Sequence, residues 1–230
     1  MTKISALSIG VALAIFPAGA QEKAAVDPNA RWEKDIAAFE AADAKGAPPK
    51  DSFLFVGSSS IRLWDLDASF PGVEAINRGF GGSEIENSTH FADRIIVPHQ
   101  PHTVLLYAGD NDVAKGKSAD RVVDDFQLFV AGVHKDLPET HIAFIAIKPS
   151  IKRWEMWPTM KAANDRIAAI CSGSPKLTFL DIAKVTIGDD GKPDPALFAK
   201  DGLHLNAAGY KAWSALVSPF LDSRRKAEDK

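Results

Sequence analysis

Four short polar segments of this sequence contain the residue types that acyl transfer requires. They are Gly57-Ser58-Ser59-Ser60, Asn77 to Ser83, Gly109-Asp110-Asn111-Asp112 and Asp201-Gly202-Leu203-His204. Acyl transfer needs a hydroxyl nucleophile, a base that takes its proton, a group that fixes the base, and hydrogen-bond donors for the oxyanion. A serine, a histidine three residues after an aspartate, and glycines with an asparagine could supply these parts. Together, the segments predict a site for attack on a carbonyl carbon.

Each segment taken alone also has a purely structural interpretation. The serines at 58–60 could cap a helix through a hydroxyl, and the glycines at 79–82 could form a turn with positive φ. Residues 111–112 could bond their own backbone, and residues 201–204 could be a loop ahead of a helix. The joint occurrence of the four segments favours chemistry over these separate interpretations.

Apolar runs of the kind found in buried parallel strands alternate with segments of helical spacing. The predicted strands are Phe53–Val56, Val73–Ile76, Thr103–Tyr107, Ile142–Ile147 and Leu177–Leu180. The predicted helices of the domain are Ile85–Ile96, Ala119–Lys135, Met160–Ile170 and Ala207–Leu221. This alternation predicts an α/β domain, a flavodoxin-like three-layer α/β/α sandwich with a parallel sheet of about five strands. Ligands bind outside the carboxyl ends of such strands, where we expect the four polar segments to meet.

The four segments resemble, in the same order, the conserved blocks of the SGNH or GDSL hydrolase superfamily. The first block implies that Ser59 is the nucleophile. The second and third imply that Gly82 and Asn111 are oxyanion donors, together with the backbone N–H of the nucleophile. The last, Asp-x-x-His, implies that Asp201 orients His204 as the general base. The resemblance implies a serine ester hydrolase that works through an acyl-serine intermediate, with no metal or cofactor.

The sequence departs from the family pattern at Ser58, where the family has aspartate. That aspartate is not a member of the triad, so the departure bears on the substrate and on local hydrogen bonding. Because three serines are adjacent, the choice of Ser59 over Ser58 or Ser60 rests on alignment from Gly57. Gly81 is the alternative to Gly82 in the second block. The resemblance spans roughly residues 50 to 222.

The ends of the chain have a different composition from its centre. Residues 1–20 have Lys3, an apolar stretch and a small-residue end, which is typical of a secretory signal peptide cleaved after Ala20. The apolar stretch is far shorter than the roughly 20 residues of a membrane span. We therefore predict an exported protein, periplasmic or secreted, that does not insert stably into a membrane. The remaining chain divides into an N-terminal helix and linker (21–50), a hydrolase domain (51–222) and a charged tail (223–230).

The overall composition limits the partners of the protein. A net charge of −3 with no basic stripe gives no indication of nucleic-acid binding and favours a small-molecule or carbohydrate ester as partner. Cys171 is the only cysteine, so an intramolecular disulfide is impossible, and we expect it to be buried. His99 and His102 form a His-x-x-His pair, which could suggest a metal site. Their place before the third strand, however, puts them at the opposite edge of the sheet from the polar segments, and no carboxylate or cysteine cluster joins them.

The loops around the predicted site indicate the substrate. Residues 110–120 and 188–202 are polar, which favours short acyl groups, above all acetyl, over long acyl chains. Trp154 and Trp157, interleaved with charge, could stack on a sugar ring or could pack a helix start. The alternatives are a lysophospholipase or thioesterase of the same fold, and a catalytically idle carbohydrate-binding protein.

Overall fold

The computed structural model describes residues 27–46, 50 and 52–228, so the predicted signal peptide lies outside the described residues. Its centre is a five-stranded parallel sheet in the order β2-β1-β3-β4-β5. The strands are β1 (Phe53–Gly57), β2 (Ala75–Gly79), β3 (Thr103–Tyr107), β4 (His141–Ile145) and β5 (Leu177–Leu180). This order is that of flavodoxin-like folds, and it confirms the predicted fold class.

Helices cover both faces of the sheet. They are α1 (Glu33–Asp43), α2 (Ser59–Arg62), α3 (Leu66–Ser69), α4 (Ile85–His90), α5 (Ala92–Ile95), α6 (Asp110–Ala114), α7 (Ala119–Asp136), α8 (Trp157–Ser172) and α9 (Ala207–Glu228). Within the described ranges, no helix has both the length and the hydrophobicity needed to span a bilayer.

Alternate side chains of each central strand enter two separate cores, because successive residues of a strand point to opposite faces. In β1, Leu54 and Val56 pack with the helices α1, α4, α5, α7 and α8. Phe53 and Phe55 pack with α2, α3 and α9 on the other face. Both faces are buried, which explains why β1 and β3 are almost continuously apolar in the sequence.

Strand β2 begins and ends later than predicted. The prediction of Val73–Ile76 is wrong at both ends, since the strand runs from Ala75 to Gly79. It lies at the edge of the sheet and pairs only with β1, so it can contain polar residues. Asn77 donates from its side-chain nitrogen to the Ile61 carbonyl at 2.7 Å, which ties β2 to α2.

Other element boundaries also differ from those expected. The helix predicted over 85–96 is interrupted at Phe91 between α4 and α5. Strand β4 ends at Ile145, and the backbone of Ile147 is instead bonded in both directions by the Asn164 side chain, at 2.9 Å each way. Helix α9 continues through Glu228, so it extends into the segment predicted as a charged tail.

The N-terminal helix α1 is fixed to the domain by ion pairs and apolar contacts. Arg94 in α5 bonds the carboxylates of Glu33 and Glu40 at 2.7 Å. Trp32 and Ile36 are buried in the same core as β1. This helix therefore reaches the sheet edge at which β1 ends.

We predict that Gly57→Ala destabilises the fold by about 3 kcal/mol or more. Gly57 has φ +136°, and a Cβ there would lie 1.9 Å from the Tyr107 carbonyl oxygen. Gly72→Ala is the matched control, because Gly72 has φ +79° with open space around it and should cost only about 1 to 2 kcal/mol. The measurement is urea-induced unfolding followed by circular dichroism. Equal losses for the two variants would show that the contact with Tyr107 is unimportant.

Candidate active site

Ser59 is the first residue of α2 and lies immediately beyond the carboxyl end of β1. Ser58 is extended and its N–H bonds the Tyr107 carbonyl at 3.0 Å, which fixes the turn between strand and helix. The first N–H groups of a helix have no intrahelical acceptor. The backbone N–H of Ser59 is therefore available beside its own hydroxyl.

His204 connects Ser59 to Asp201. Its Nε2 lies 2.9 Å from the Ser59 Oγ, and its Nδ1 lies 2.5 Å from the Asp201 Oδ2. A carboxylate can only accept, so Nδ1 carries the proton and Nε2 presents its lone pair to the serine hydroxyl. This is the arrangement in which a nucleophile, a base and an orienting acid carry out acyl transfer.

Asp201 is held ionised although it is largely exposed. Its Oδ1 accepts from the backbone N–H groups of Leu203 at 2.9 Å and His204 at 3.0 Å. The Leu203 N–H, then the His204 ring and its N–H, hold the pKa of the Asp201 carboxyl well below its ordinary range. Bonds to the charged form of an acid act in this direction.

Backbone bonds anchor the loop that carries the histidine. The N–H of Ala199 bonds the His204 carbonyl at 2.8 Å, and the N–H of Lys152 bonds the Gly202 carbonyl at 2.9 Å. The first bond closes the loop on itself, and the second ties it to the segment after β4. Two backbone hydrogen bonds thereby fix the loop around His204.

The loop after β2 presents Gly82 to the same place. Gly82 has φ +74°, a left-handed conformation that favours glycine. The Gly81 carbonyl accepts from the indole N–H of Trp32 at 2.9 Å, and the Phe80 N–H bonds the Gly57 carbonyl at 2.8 Å. Among the residues described, the N–H of Gly82 has no acceptor.

Asn111 completes the site from the start of α6. Its Nδ2 donates to the Ser83 carbonyl at 3.0 Å, and its Oδ1 accepts from Arg153 at 3.0 Å. One N–H of its amide remains to donate elsewhere.

A cavity of about 340 Å³ collects these groups. It is lined by Asp35, Ser59, Arg62, Gly81, Gly82, Asn111, Leu203 and His204. Ser59, Gly82, Asn111 and His204, which the sequence pointed to, are thus brought together, and Asp201 lies directly behind His204. The sequence pattern missed Asp35 and Arg62, because neither belongs to a motif.

A larger groove of about 810 Å³ borders the triad on the Asp201 side. His204 lines both this groove and the smaller cavity. The groove is lined mainly by apolar surface from four places, the residue after α2, α3, the loop 199–206 and the start of α9, including Leu63, Ala68, Leu205 and Tyr210. Residues that were not expected to contribute apolar surface therefore lie next to the site.

The hydroxyl of Ser58 is buried and has no hydrogen-bond partner among the residues described. Ser58 therefore makes no side-chain hydrogen bond to Ser59, Asp201 or His204. Ser58 is not among the residues that line the cavity at Ser59.

Trp154 and Trp157 stack on each other, with ring centroids 6.5 Å apart. Trp157 also packs against both cores. Neither ring lines the Ser59 cavity or the larger groove. The helix-packing interpretation of the two tryptophans therefore fits the structure better than a role in the substrate groove.

The other residues with possible chemistry have partners elsewhere. His99 Nε2 lies 3.2 Å from Arg78 and 3.3 Å from Asp43, and His102 Nδ1 lies 2.8 Å from the Thr103 hydroxyl. Cys171 is buried, and burial raises the pKa of its thiol to about 11. In the described part of the chain, no group of three or more His, Cys, Asp or Glu side chains is arranged to hold a metal ion.

The sequence matches the GDSL-like Lipase/Acylhydrolase family over residues 59–212, which is more than half of the 230-residue chain. No curated protein matches the sequence significantly. The matched range begins at Ser59 and therefore leaves out β1 and α1.

Solved structures with the same fold come from several bacteria. A Streptococcus pneumonia protein named for platelet activating factor has a TM-score of 0.74 at 19% identity, covering 84% of this chain and 94% of its own. A GDSL-like lipase from Bacteroides thetaiotaomicron has a TM-score of 0.70 at 19% identity, covering 85% and 98%. An acetyl-xylooligosaccharide esterase from Geobacillus Stearmophilus has a TM-score of 0.59 at 15% identity, covering 76% and 95%. At these identities the likeness shows a shared fold.

We predict that an organophosphorus reagent labels one serine per chain, and that this serine is Ser59. We expect His204 to accept the proton of the Ser59 hydroxyl as the reagent is attacked, so His204→Ala should slow labelling by about 10³-fold, as expected for members of one catalytic unit. Intact-mass spectrometry and peptide mapping measure the label. Ser58→Ala is the matched control and should label at the rate of the unmodified protein. Labelling that survives Ser59→Ala and disappears in Ser58→Ala would place the nucleophile at Ser58 instead.

Proposed function

The chain belongs to the GDSL-like lipase/acylhydrolase family, and from this premise we propose that it is an exported serine esterase that removes short acyl groups, above all acetyl, from carbohydrate esters. The observation that carries the proposal is the contact of the His204 ring with both Ser59, at 2.9 Å, and Asp201, at 2.5 Å. Turnover of an acetyl ester by the purified protein, abolished in Ser59→Ala, is the experiment that tests it.

The geometry supports a two-step reaction. His204 accepts the hydroxyl proton of Ser59 as the oxygen attacks the carbonyl carbon, and Asp201 stabilises the imidazolium that forms. The N–H groups of Ser59 and Gly82 and the Asn111 amide donate to the oxyanion. The bond from the carbonyl carbon to the alcohol oxygen then breaks, and His204 gives its proton to the departing alcohol. Water attacks the acyl-serine by the same route and releases the carboxylic acid.

An idle carbohydrate-binding protein with this fold is the rival from another class, because fold and function are separable. Such a protein has no need to keep a carboxylate, an imidazole and a serine hydroxyl in series. Binding of an acetylated sugar without release of acetate, together with an unreactive Ser59, would favour the rival.

The cavity at Ser59 supports a short acyl group. The carbonyl carbon must lie beside Ser59, Gly82 and Asn111, so the acyl group occupies the cavity of about 340 Å³ that they line. Asp35 and Arg62 line the same cavity and make it polar. A long hydrocarbon chain there would desolvate charged groups without pairing them.

The larger groove supports a bulky alcohol part. His204 must give its proton to the alcohol oxygen, so the alcohol leaves on the side of its ring. The groove of about 810 Å³ begins at this ring and combines Tyr210 and Leu63 with the polar side chains of Asp65 and Lys211. A mixture of apolar surface and hydrogen-bonding groups suits a sugar, whose ring has both kinds of surface.

Two further observations support a carbohydrate ester. Asp65 and Lys211 in the larger groove offer an acceptor and a donor for sugar hydroxyls. The Geobacillus protein with the same fold is named for acetyl-xylooligosaccharides. The support lost with Trp154 and Trp157 is thus replaced by residues of the larger groove.

Export is supported by the sequence of residues 1–20, with Lys3, an apolar stretch and a small-residue end at Ala20. On this basis, the mature enzyme acts in the periplasm or outside the cell. Fractionation of cells that make the full chain, with N-terminal sequencing of the product, tests this part of the proposal.

We predict that kcat/KM falls in acid by one factor of ten per pH unit. Protonation of the His204 imidazole removes the lone pair that must accept the Ser59 proton. Asp201 stays unprotonated above about pH 4 and adds no second protonation step, because the Leu203 N–H and the His204 ring hold the pKa of its carboxyl below the ordinary value of about 3.9. The measurement is the pH profile of an acetyl ester between pH 4 and 8. A slope of two, or a flat profile down to pH 4, would contradict the assignment of the base and its partner.

We predict that kcat/KM is greatest for acetyl esters and falls by about tenfold or more at octanoyl. The polar cavity at Ser59 cannot bury a long chain favourably. The measurement compares acetyl, butyryl, octanoyl and palmitoyl esters of one alcohol. Acetylated xylose is then compared with ethyl acetate, which tests the alcohol side separately. A maximum at octanoyl or beyond would favour the lysophospholipase or thioesterase alternative.

A further inference from the structure

The Asn111 amide has two chemically different ends, and its neighbours distinguish them. Arg153 has only donors, and its Nη2 lies 3.0 Å from one end of the amide. The Ser83 carbonyl can only accept, and it lies 3.0 Å from the other end. If the amide were rotated by about 180°, its NH2 group would face the donors of Arg153 and its oxygen would face the Ser83 carbonyl oxygen. The two contacts therefore fix Oδ1 toward Arg153 and Nδ2 toward Ser83 and the cavity.

Arg153 is itself held by a buried carboxylate. Its Nη1 donates to the Asp110 Oδ2 at 3.0 Å, so the planar guanidinium bonds two successive residues of α6. The Arg153 side chain is 16% exposed and that of Asp110 is 6% exposed. A buried ion pair with a second hydrogen bond leaves the guanidinium little rotational freedom.

Arg153, Lys148 and Asp110 form a cluster next to Asn111 that carries a net positive charge. Lys148, 1% exposed, lies 3.5 Å from the Asp110 carboxylate and 3.1 Å from the Tyr107 hydroxyl. Two cations, Arg153 and Lys148, thus surround one carboxylate. A positive charge bonded to the amide oxygen of Asn111 also polarises its N–H toward a developing anion.

The backbone around Arg153 is fixed to the triad loop. The Arg153 N–H bonds the Ser150 carbonyl at 3.3 Å, and the neighbouring Lys152 N–H bonds the Gly202 carbonyl at 2.9 Å. The segment after β4 therefore contacts the oxyanion asparagine through a side chain and the histidine loop through its backbone.

We propose that Arg153 is a positioning residue, which fixes the Asn111 amide so that its free N–H faces the oxyanion. The inference rests on the proposed function, since it assigns a partner to one of the oxyanion donors. Without Arg153, the amide can turn its oxygen toward the developing negative charge. Removing Arg153 therefore weakens stabilisation of the transition state and leaves substrate binding intact.

The experiment compares Arg153→Met and Arg153→Lys in steady-state hydrolysis of an acetyl ester. Arg153→Met keeps the apolar stem and loses every donor, so kcat should fall about 10² -fold with KM within about twofold. Arg153→Lys keeps the charge beside Asp110 and loses the second arm to Asn111, so kcat should fall by a smaller factor. Arg121→Met is the matched control, because Arg121 also pairs with a buried carboxylate, that of Asp125 at 2.8 Å, and does not contact Asn111. Its kcat should be unchanged.

A double variant separates positioning from general damage. If Arg153 acts through Asn111, adding Arg153→Met to Asn111→Ala should lower kcat by less than about threefold further. Should the two losses multiply instead, Arg153 does not act through Asn111 and the inference is overturned. Should Arg153→Met fail to fold, Arg153→Lys in the Asn111→Ala background makes the same comparison.

Labelling of Ser59 and wild-type turnover test the proposed function separately. If the kcat losses of Arg153→Met and Asn111→Ala multiply while Ser59 is still labelled and the unmodified protein is active, only the positioning role is contradicted and the proposed function stands.

Discussion

Gly57 lies between Gly79 of β2 and Tyr107 of β3, paired with both in register at the level where all three strands end. The backbone of β3 lies so close to Gly57, and that of α2 so close to Gly79, that a Cβ at either glycine would overlap main-chain atoms. Because the strands end together, the loops that follow them start from one plane. Ser59, the Gly82 loop and Asn111 can therefore reach a common point although they lie far apart in the sequence. The arrangement of the site follows from this close approach.

Charge is distributed unevenly around the point at which Ser59, the Gly82 loop and Asn111 meet. Asp201 is exposed and accepts from backbone N–H groups, which lower the pKa of its carboxyl, whereas Asp110 is buried and pairs with Arg153 and Lys148. In the proposed reaction, the negative charge of Asp201 stabilises the imidazolium that forms, and the positive charges of Arg153 and Lys148 behind Asn111 stabilise the oxyanion. Both charges form together in the proposed transition state, so the two halves of the site are complementary to the same event.

The sequence predicted the residues that belong to contiguous motifs much better than those that act from a distance. The four polar segments could be placed because each follows a strand or precedes a helix with clear periodicity. The bounds of β2 were missed, since an edge strand that holds Asn77 and Arg78 lacks the apolar run of a central strand. Arg62 and Asp35 have no motif, and the Arg153 contact with Asn111 joins residues 42 positions apart. Pairing across such a separation leaves no local pattern in the chain.

Trp32 donates to the Gly81 carbonyl across 49 positions of sequence, and Trp32 and the helix α1 that follows it lie outside the range that matches the family. During synthesis this helix leaves the ribosome before any of the strands, while its partners in the glycine loop and in α5 are made later. A contact of such long range requires the intervening chain to close into a loop. The sheet itself pairs Phe53 of β1 with Thr103 of β3, so the sheet and the docking of Trp32 require closures of similar length. In a refolding reaction, we expect recovery of catalysis to require the docked Trp32 as well as the sheet.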